Sequence, residues 1–152
     1  MPNAVVLASR HAPVTIGNHV LIGPRAYLSW CTIEDDIFLA TGSCVLNKAV
    51  IGARAEVRIN GVVHIRTRIP AEATVPIGWV AVDNPAEILS PDQHERIWAI
   101  QRTLGFAKTV WGLDPAPPGE TIMPQAMQRY AKALQWHRED AAADGKQSGG
   151  AQ

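Results

Sequence analysis

His11, His19 and His64 are the side chains of this sequence that are best suited to metal binding or acid–base chemistry. A neutral imidazole binds zinc at roughly 2.1 Å and exchanges a proton near neutral pH. The three residues are far apart along the chain, so a shared site requires the fold, or another subunit, to bring them together. The simpler interpretation, which we favour, is that each is a surface or hydrogen-bonded histidine.

A second group of candidate functional residues is basic. Arg54, Arg58, Arg66 and Arg68 lie within fifteen residues that contain one acid, Glu56. Guanidinium groups bind oxyanions through paired hydrogen bonds, so Arg54, Arg58 and Arg66 could receive a small anion or carboxylate at a subunit interface. The alternative, which the pattern favours, is ion pairs on solvated strand edges or between subunits. The acidic run at residues 34–36 is likewise more typical of a solvated corner than of a calcium site.

These side chains must be positioned by a short repeat, which is the main signal of the sequence. From residue 16 the chain divides into frames of six residues, with one frame of five, and each frame begins with an aliphatic residue. The frames are IGNHVL, IGPRAY, LSWCT, IEDDIF, LATGSC, VLNKAV, IGARAE, VRINGV, VHIRTR, IPAEAT and VPIGWV. This pattern predicts a parallel β-helix in which each frame forms one side of a triangular coil and its first residue points inward.

The inward residues should stack in three ladders, about 4.8 Å from one coil to the next. The ladders are Ile16, Ile33, Ile51 and Ile69; Ile22, Leu39, Val57 and Val75; and Leu28, Val45 and Val63. An α/β domain with short apolar strands is the alternative. The lack of a long helical period before residue 90 argues against it.

After the repeat the pattern becomes helical. Ser90, Pro91 and Gln93 are typical of a helix start. The buried face of this helix should comprise Ile97, Trp98, Ile100 and Leu104, and a second helix from Pro124 should present Met127, Tyr130, Ala131 and Leu134 on one face. We therefore divide the chain into a β-helix at 1–89, a helical segment that packs on it at 90–140, and a disordered tail at 141–152.

The overall composition argues against several classes of function. Fourteen basic and fourteen acidic residues balance, so no net charge attracts the chain to nucleic acid or to an anionic membrane. No apolar run approaches the roughly 20 residues that span a bilayer. The two cysteines form no CxxC pair and no disulfide framework, so we expect a reduced, cytoplasmic protein.

Several segments carry a family resemblance: NAVV, PVTIGNHVLIGPRAYLSWCTI, VLNKAVIGARAEV and the exit VPIGWVAVDNPAEIL. With them, residues 3–89 resemble the γ-class carbonic anhydrases, which are left-handed β-helix hexapeptide-repeat proteins. The resemblance implies a left-handed coil, C-terminal α-helices and a homotrimer. Family members usually carry more coil before the NAV segment, so we expect the N-terminal end of this coil to be open.

The resemblance also implies where zinc would bind. The three ligand histidines of active relatives fall on Leu7 (or on Ala8 if the register slips by one), Pro24 and Ser29, and none of these residues is a zinc ligand. The pocket around them should be lined by Thr41, Leu46 and Trp30. We therefore expect no cofactor, with zinc bound only if a site has been relocated to histidines such as His11, His19 or His64.

Three functions follow as hypotheses. The first is a homotrimeric binding or assembly scaffold that has lost zinc-dependent hydration of carbon dioxide. The second is a coenzyme A-dependent acyltransferase of the hexapeptide-repeat type, in which His19 or His64 would serve as the base. The third is carbonic anhydrase activity through a relocated metal site.

Overall fold

The structure is a computed structural model that describes residues 1–9 and 11–143, without the side chains of residues 136–143. The described residues form two compact units, one of residues 1–106 and a second that begins at residue 107. The strands of the described residues are β1 Val5–Leu7, β2 Thr15–Ile16, β3 Leu21–Ile22, β4 Tyr27–Ser29, β5 Thr32–Ile33, β6 Phe38–Leu39, β7 Cys44–Val45, β8 Val50–Ile51, β9 Glu56–Val57, β10 Val62–Val63, β11 Arg68–Ile69, β12 Thr74–Val75, β13 Val80–Val82 and β14 Glu87–Leu89. They are followed by a 3₁₀ turn at Pro91–Gln93 and by helices α1 His94–Gln101, α2 Phe106–Trp111 and α3 Met123–Ala143.

The strands form a β-solenoid of about four coils whose three sides are three sheets. The first sheet has the order β1-β4-β7-β10-β13-β14, the second β11-β8-β5-β2 and the third β12-β9-β6-β3. All neighbours pair in parallel except β13 and β14, which are antiparallel. From β2 to β13 the strands begin six residues apart, except that β5 begins five residues after β4. The predicted mainly-β solenoid with C-terminal helices is confirmed.

The strand registers reproduce the three predicted ladders. Ile16, Ile33, Ile51 and Ile69 oppose one another in the second sheet, and the corresponding residues do so in the other two sheets. Because neighbouring residues of a strand point to opposite faces, the second residue of each two-residue strand enters the core while the first faces outward. From Leu28 onward every ladder residue is at most 1% exposed.

The corners between the sheets bring successive coils into close contact. We call the corner between the second and third sheets the first corner, that between the third and first sheets the second corner, and that between the first and second sheets the third corner. A β-carbon on Gly23 would lie 2.7 Å from the backbone of Ala40, and one on Gly52 would lie 2.6 Å from the backbone of Ala71. Side chains larger than hydrogen are therefore excluded where these coils meet.

The N-terminal end of the solenoid is open within the described residues. β1, β2 and β3 are the edges of the three sheets at this end. Their apolar side chains are accessible: Val6 is 47% exposed and Ile16 41% exposed. At the opposite end Ile69 and Val75 are fully buried, so the two ends of the ladders differ in how much apolar surface they remove from water.

The C-terminal end of the first unit is closed by β14 and α1. β14 pairs with β13, and Ile97 and Ile100 of α1 are buried against Val82. Two details of the predicted helix are wrong. Trp98 is 51% exposed rather than buried, because it points away from the side on which Ile97 and Ile100 contact the sheet. The Ser90 hydroxyl also makes no capping hydrogen bond.

The second unit contains α3 and a segment that the sequence pattern did not identify as helical, α2. α3 begins at Met123, one residue before the predicted start, and extends to Ala143. The remainder of the predicted tail, residues 144–152, lies outside the described residues. Arg129 of α3 donates a hydrogen bond to the Trp111 carbonyl at 2.8 Å. The predicted apolar face is accessible to solvent, with Met127 55% exposed and Leu134 51% exposed.

Candidate functional site

The first sheet brings two of the three predicted ligand positions side by side. β1 pairs with β4 so that Leu7 lies directly opposite Ser29. The next pair of strands places Leu28 opposite Val45, so Leu46 follows Ser29 on the neighbouring coil. Ser29 is buried, at 5% exposure, whereas Leu7 is half exposed. The cluster therefore offers hydrocarbon groups and one hydroxyl.

Pro24 lies on a different surface, at the second corner. Its carbonyl accepts a hydrogen bond from the Gly42 N–H at 2.9 Å. Together with Thr41 it lines a shallow groove of about 510 Å³ whose other walls are mainly apolar. The groove residues are Met1, Leu21, Gly23, Pro24, Phe38, Ala40, Thr41, Arg58, Ile59 and Ile77. The predicted pocket is thus divided within one chain: Leu7, Ser29 and Leu46 lie on the first sheet, and Pro24 and Thr41 lie in the groove.

The groove was missed in the sequence, although a signal for it exists. Leu21 and Phe38 occupy outward-facing positions of the third sheet, where a solvated strand usually carries polar residues. Ile59 and Ile77 are also apolar and accessible, at 45% and 65% exposure. Exposed apolar side chains on two neighbouring strands and at the adjoining corner indicate a surface that binds another molecule.

Trp30 stands at the third corner beside Ser29. It is half-buried with a positive φ of 40°. The ammonium group of Lys48, one coil further on, lies 4.5 Å from the centroid of the Trp30 ring. This cation–π contact was not predicted, because the two residues are eighteen positions apart and share a corner only through the coil.

The predicted anion-binding arginines are not equivalent. Arg54 forms an ion pair with Glu72 at 2.7 Å, and this hydrogen bond raises the pKa of the guanidinium. Arg58 pairs with Glu56 at 2.5 Å. Arg66 is exposed and forms no ion pair with any residue that the structure describes. Of the three, Arg66 therefore has its guanidinium available for an added anion.

The acidic run at residues 34–36 stabilises the first corner. A Glu34 carboxylate oxygen accepts the Ala53 N–H at 2.9 Å, and Asp35 accepts the Asn18 N–H at 2.6 Å. Asp36 contacts the imidazole of His19 at 2.9 Å. Each carboxylate thus bridges neighbouring coils, which supports the interpretation as a corner rather than as a calcium site.

The candidate histidines do not share a site within the chain. His11 lies in the turn between the bridged residues Ser9 and Ala12, and His19 lies on the first corner. His64 follows β10, two coils from Ser29 in the first sheet. Among residues 1–9 and 11–143, no group of three or more His, Cys, Asp or Glu side chains is arranged to hold a metal ion. The coil also carries no inserted loop between β2 and β13 of the kind an acyltransferase base would need.

His64 is nevertheless unusual, because it is 8% exposed. Its backbone N–H donates to the Ala81 carbonyl at 2.9 Å, and its Nδ1 has no hydrogen-bond partner in the described part of the chain. Burial lowers the pKa of the imidazole below its ordinary value of 6.5. The folded protein therefore holds this ring in its neutral form.

A pH dependence of stability follows from His64. The contribution of the neutral His64 ring to the free energy of unfolding is complete above the unfolded-state pKa of 6.5. It is lost as the pH falls from there towards the lower folded-state pKa, because the unfolded chain binds a proton that the folded chain resists. The fall in Tm between about pH 7.5 and about pH 5.5, which bracket the unperturbed histidine pKa, should be smaller in His64→Gln than in the wild type. His94→Gln, at an exposed histidine, serves as the control; equal falls in wild type and His64→Gln would contradict the assignment.

Comparison with known proteins identifies relatives in sequence. No protein-family model matches the chain. It is 30% identical over 128 residues to gamma carbonic anhydrase 1, mitochondrial, of Arabidopsis thaliana, covering 84% of this chain and 43% of the relative. It is 31% identical over 97 residues to gamma carbonic anhydrase 2, mitochondrial, of the same plant, covering 64% of this chain and 33% of that relative. The chain thus spans less than half the length of the curated relatives it matches.

Proposed function

Because the chain is a gamma carbonic anhydrase-like protein in both sequence and fold, we propose that it is a homotrimeric binding or assembly scaffold without zinc-dependent hydration of carbon dioxide. The observation that carries the proposal is the pairing of Leu7 with Ser29 in β1 and β4. These are two of the three positions at which the resemblance expects histidines, and they are adjacent in space, yet their side chains are a hydrocarbon and a buried hydroxyl.

The donor set at these positions does not fit zinc. A catalytic zinc takes three nitrogen, sulfur or carboxylate ligands and keeps one position for water. Leu7 and Pro24 have no side-chain donor atom, and the neutral hydroxyl of Ser29 is a poor substitute for an imidazole. These residues therefore offer no set of ligands that could hold a zinc ion for the hydration reaction. Apolar contacts and a few hydrogen bonds are the interactions that this surface can offer.

The trimer is supported by the distribution of apolar surface on the first unit. Leu7, at 50% exposure, faces outward on the first sheet, and the groove at the second corner exposes Ile59 and Ile77. Exposed apolar surface of this kind is typical of protein–protein interfaces. We propose that a neighbouring copy covers it. Light scattering after gel filtration should give the mass of three chains, and a monomer at micromolar concentration would contradict the proposal.

The helices and the free cysteines bear on where in the cell the protein functions. No helix in the described residues is long and apolar enough to cross a bilayer. Cys31 and Cys44 are free thiols, and burial raises the pKa of Cys31 to about 12. We propose a reducing compartment such as the cytoplasm, where such thiols persist.

The proposed loss of zinc-dependent carbon dioxide hydration is tested by measuring metal content and hydration activity on the same sample. Tag-free protein produced in zinc-supplemented medium should contain much less than one zinc per chain by elemental analysis. The same sample should not accelerate carbon dioxide hydration above the uncatalysed rate. Stoichiometric zinc would overturn the proposal in favour of a relocated site, and His11, His19 and His64 would then be replaced one by one to locate it.

A further inference from the structure

The first and third corners of the solenoid differ in which charged residues follow one another from coil to coil. On the first corner His19, Asp36, Arg54 and Glu72 follow one another on successive coils. The His19 imidazole contacts the Asp36 carboxylate, and the Arg54 guanidinium pairs with Glu72. On the third corner the successive residues are Trp30, Lys48 and Arg66. The Lys48 N–H donates to the Trp30 carbonyl and the Arg66 N–H to the Asn47 carbonyl, so these coils are in direct backbone contact.

Lys48 and Arg66 are therefore two cationic residues at the same corner on adjacent coils, and the strands of adjacent coils are about 4.8 Å apart. Both are exposed, and neither forms an ion pair with a residue in the described ranges. The nearby Asp83 accepts the N–H of Asn84 at 2.8 Å. Like charges in adjacent positions repel each other, and here no described carboxylate is paired with either to offset the repulsion.

The Lys48 side chain is also held in place before any ligand arrives. Its ammonium group lies over the Trp30 ring, 4.5 Å from the centroid. A long lysine side chain usually loses conformational freedom when it binds, and the indole contact reduces that loss. Since Lys48 occupies this face of the indole, the ring is not free there to stack on a planar ligand, and the charges are the recognition element.

We propose that Lys48 and Arg66 form a binding site for one phosphate or carboxylate group of a small molecule. The guanidinium of Arg66 supplies two parallel N–H donors to an oxyanion, and the ammonium of Lys48 supplies a second positive charge beside it. The site belongs to the third corner of a single chain. It goes beyond the proposed scaffold function and does not depend on the trimer or on the loss of zinc chemistry.

The experiment titrates the full chain with inorganic phosphate and, separately, with succinate, while sodium chloride keeps the ionic strength constant. Isothermal titration calorimetry should show saturable binding, and the probe with the lower Kd identifies the source as a phosphate or a carboxylate. Lys48→Gln and Arg66→Gln should each raise the Kd about tenfold or more, because a hydrogen bond to a charged group contributes enough for such a change. Arg66→Lys, which keeps the charge and loses the paired donors, should give an intermediate Kd.

The matched control is Arg54→Gln, at an exposed corner arginine whose guanidinium is already paired with Glu72. It should leave the Kd unchanged. The proposal is overturned if neither probe gives a saturable signal, or if Arg54→Gln weakens binding as much as Arg66→Gln, since that result indicates a general effect of net charge.

Discussion

Replacing Ile51 by alanine should lower the free energy of unfolding by about 2–5 kcal/mol, the range for such truncations in a packed core. Ile51 is fully buried in the second sheet, where β8 lies between β5 and β11. Truncation leaves a cavity between Ile33 and Ile69, and the coils above and below cannot close it without breaking their shared hydrogen bonds. Because a domain has only about 5–15 kcal/mol of stability, the change is large. Urea denaturation followed by circular dichroism measures it.

The matched control is Ile16→Ala in the same ladder. Ile16 is 41% exposed at the open N-terminal end, so its truncation should cost only about 1 kcal/mol, since less apolar surface is lost from the interior. A loss equal to that of Ile51→Ala would contradict the open end and would indicate that another molecule buries Ile16 in solution.

A Leu7→His/Ser29→His double variant should bind zinc at least about tenfold more tightly than the wild type, a difference of about 1.4 kcal/mol. The two residues are direct cross-strand partners. Adjacent strands lie about 4.8 Å apart, so two imidazoles at these positions can reach one ion at about 2.1 Å per bond. Calorimetric titration with zinc measures the affinity, and circular dichroism checks that the fold is retained.

The control for this variant shifts one histidine by one residue. Val6 is exposed to a similar extent as Leu7, 47% against 50%, but it opposes Leu28 and its side chain points to the other face of β1. Val6→His/Ser29→His should therefore bind zinc no more tightly than the wild type. Equal gains in both double variants would show that β1 does not keep this register in solution.

Much of the fold could be predicted from the sequence because the inward residues recur with a fixed period. Each ladder residue is aliphatic, and the frame of five, LSWCT, appears in the structure as the shorter step from β4 to β5. The pairing of Leu7 with Ser29 could not be predicted from the repeat, because these two residues are 22 positions apart, whereas later partners in the first sheet are 17 or 18 positions apart. α2 was missed because its six residues carry too short a pattern to establish a helical period.

The sequence by itself determined the solenoid and its three ladders, because a repeated inward position is a local property of the chain. The tertiary structure decided which outward side chains meet: Lys48 with Trp30 and Arg54 with Glu72, while Arg66 keeps no ion pair among the described residues. It also decided that His64 is buried and Trp98 exposed. These outcomes depend on the contact between coils that are about eighteen residues apart, and on how α1 packs on β13, which no periodicity along the chain records.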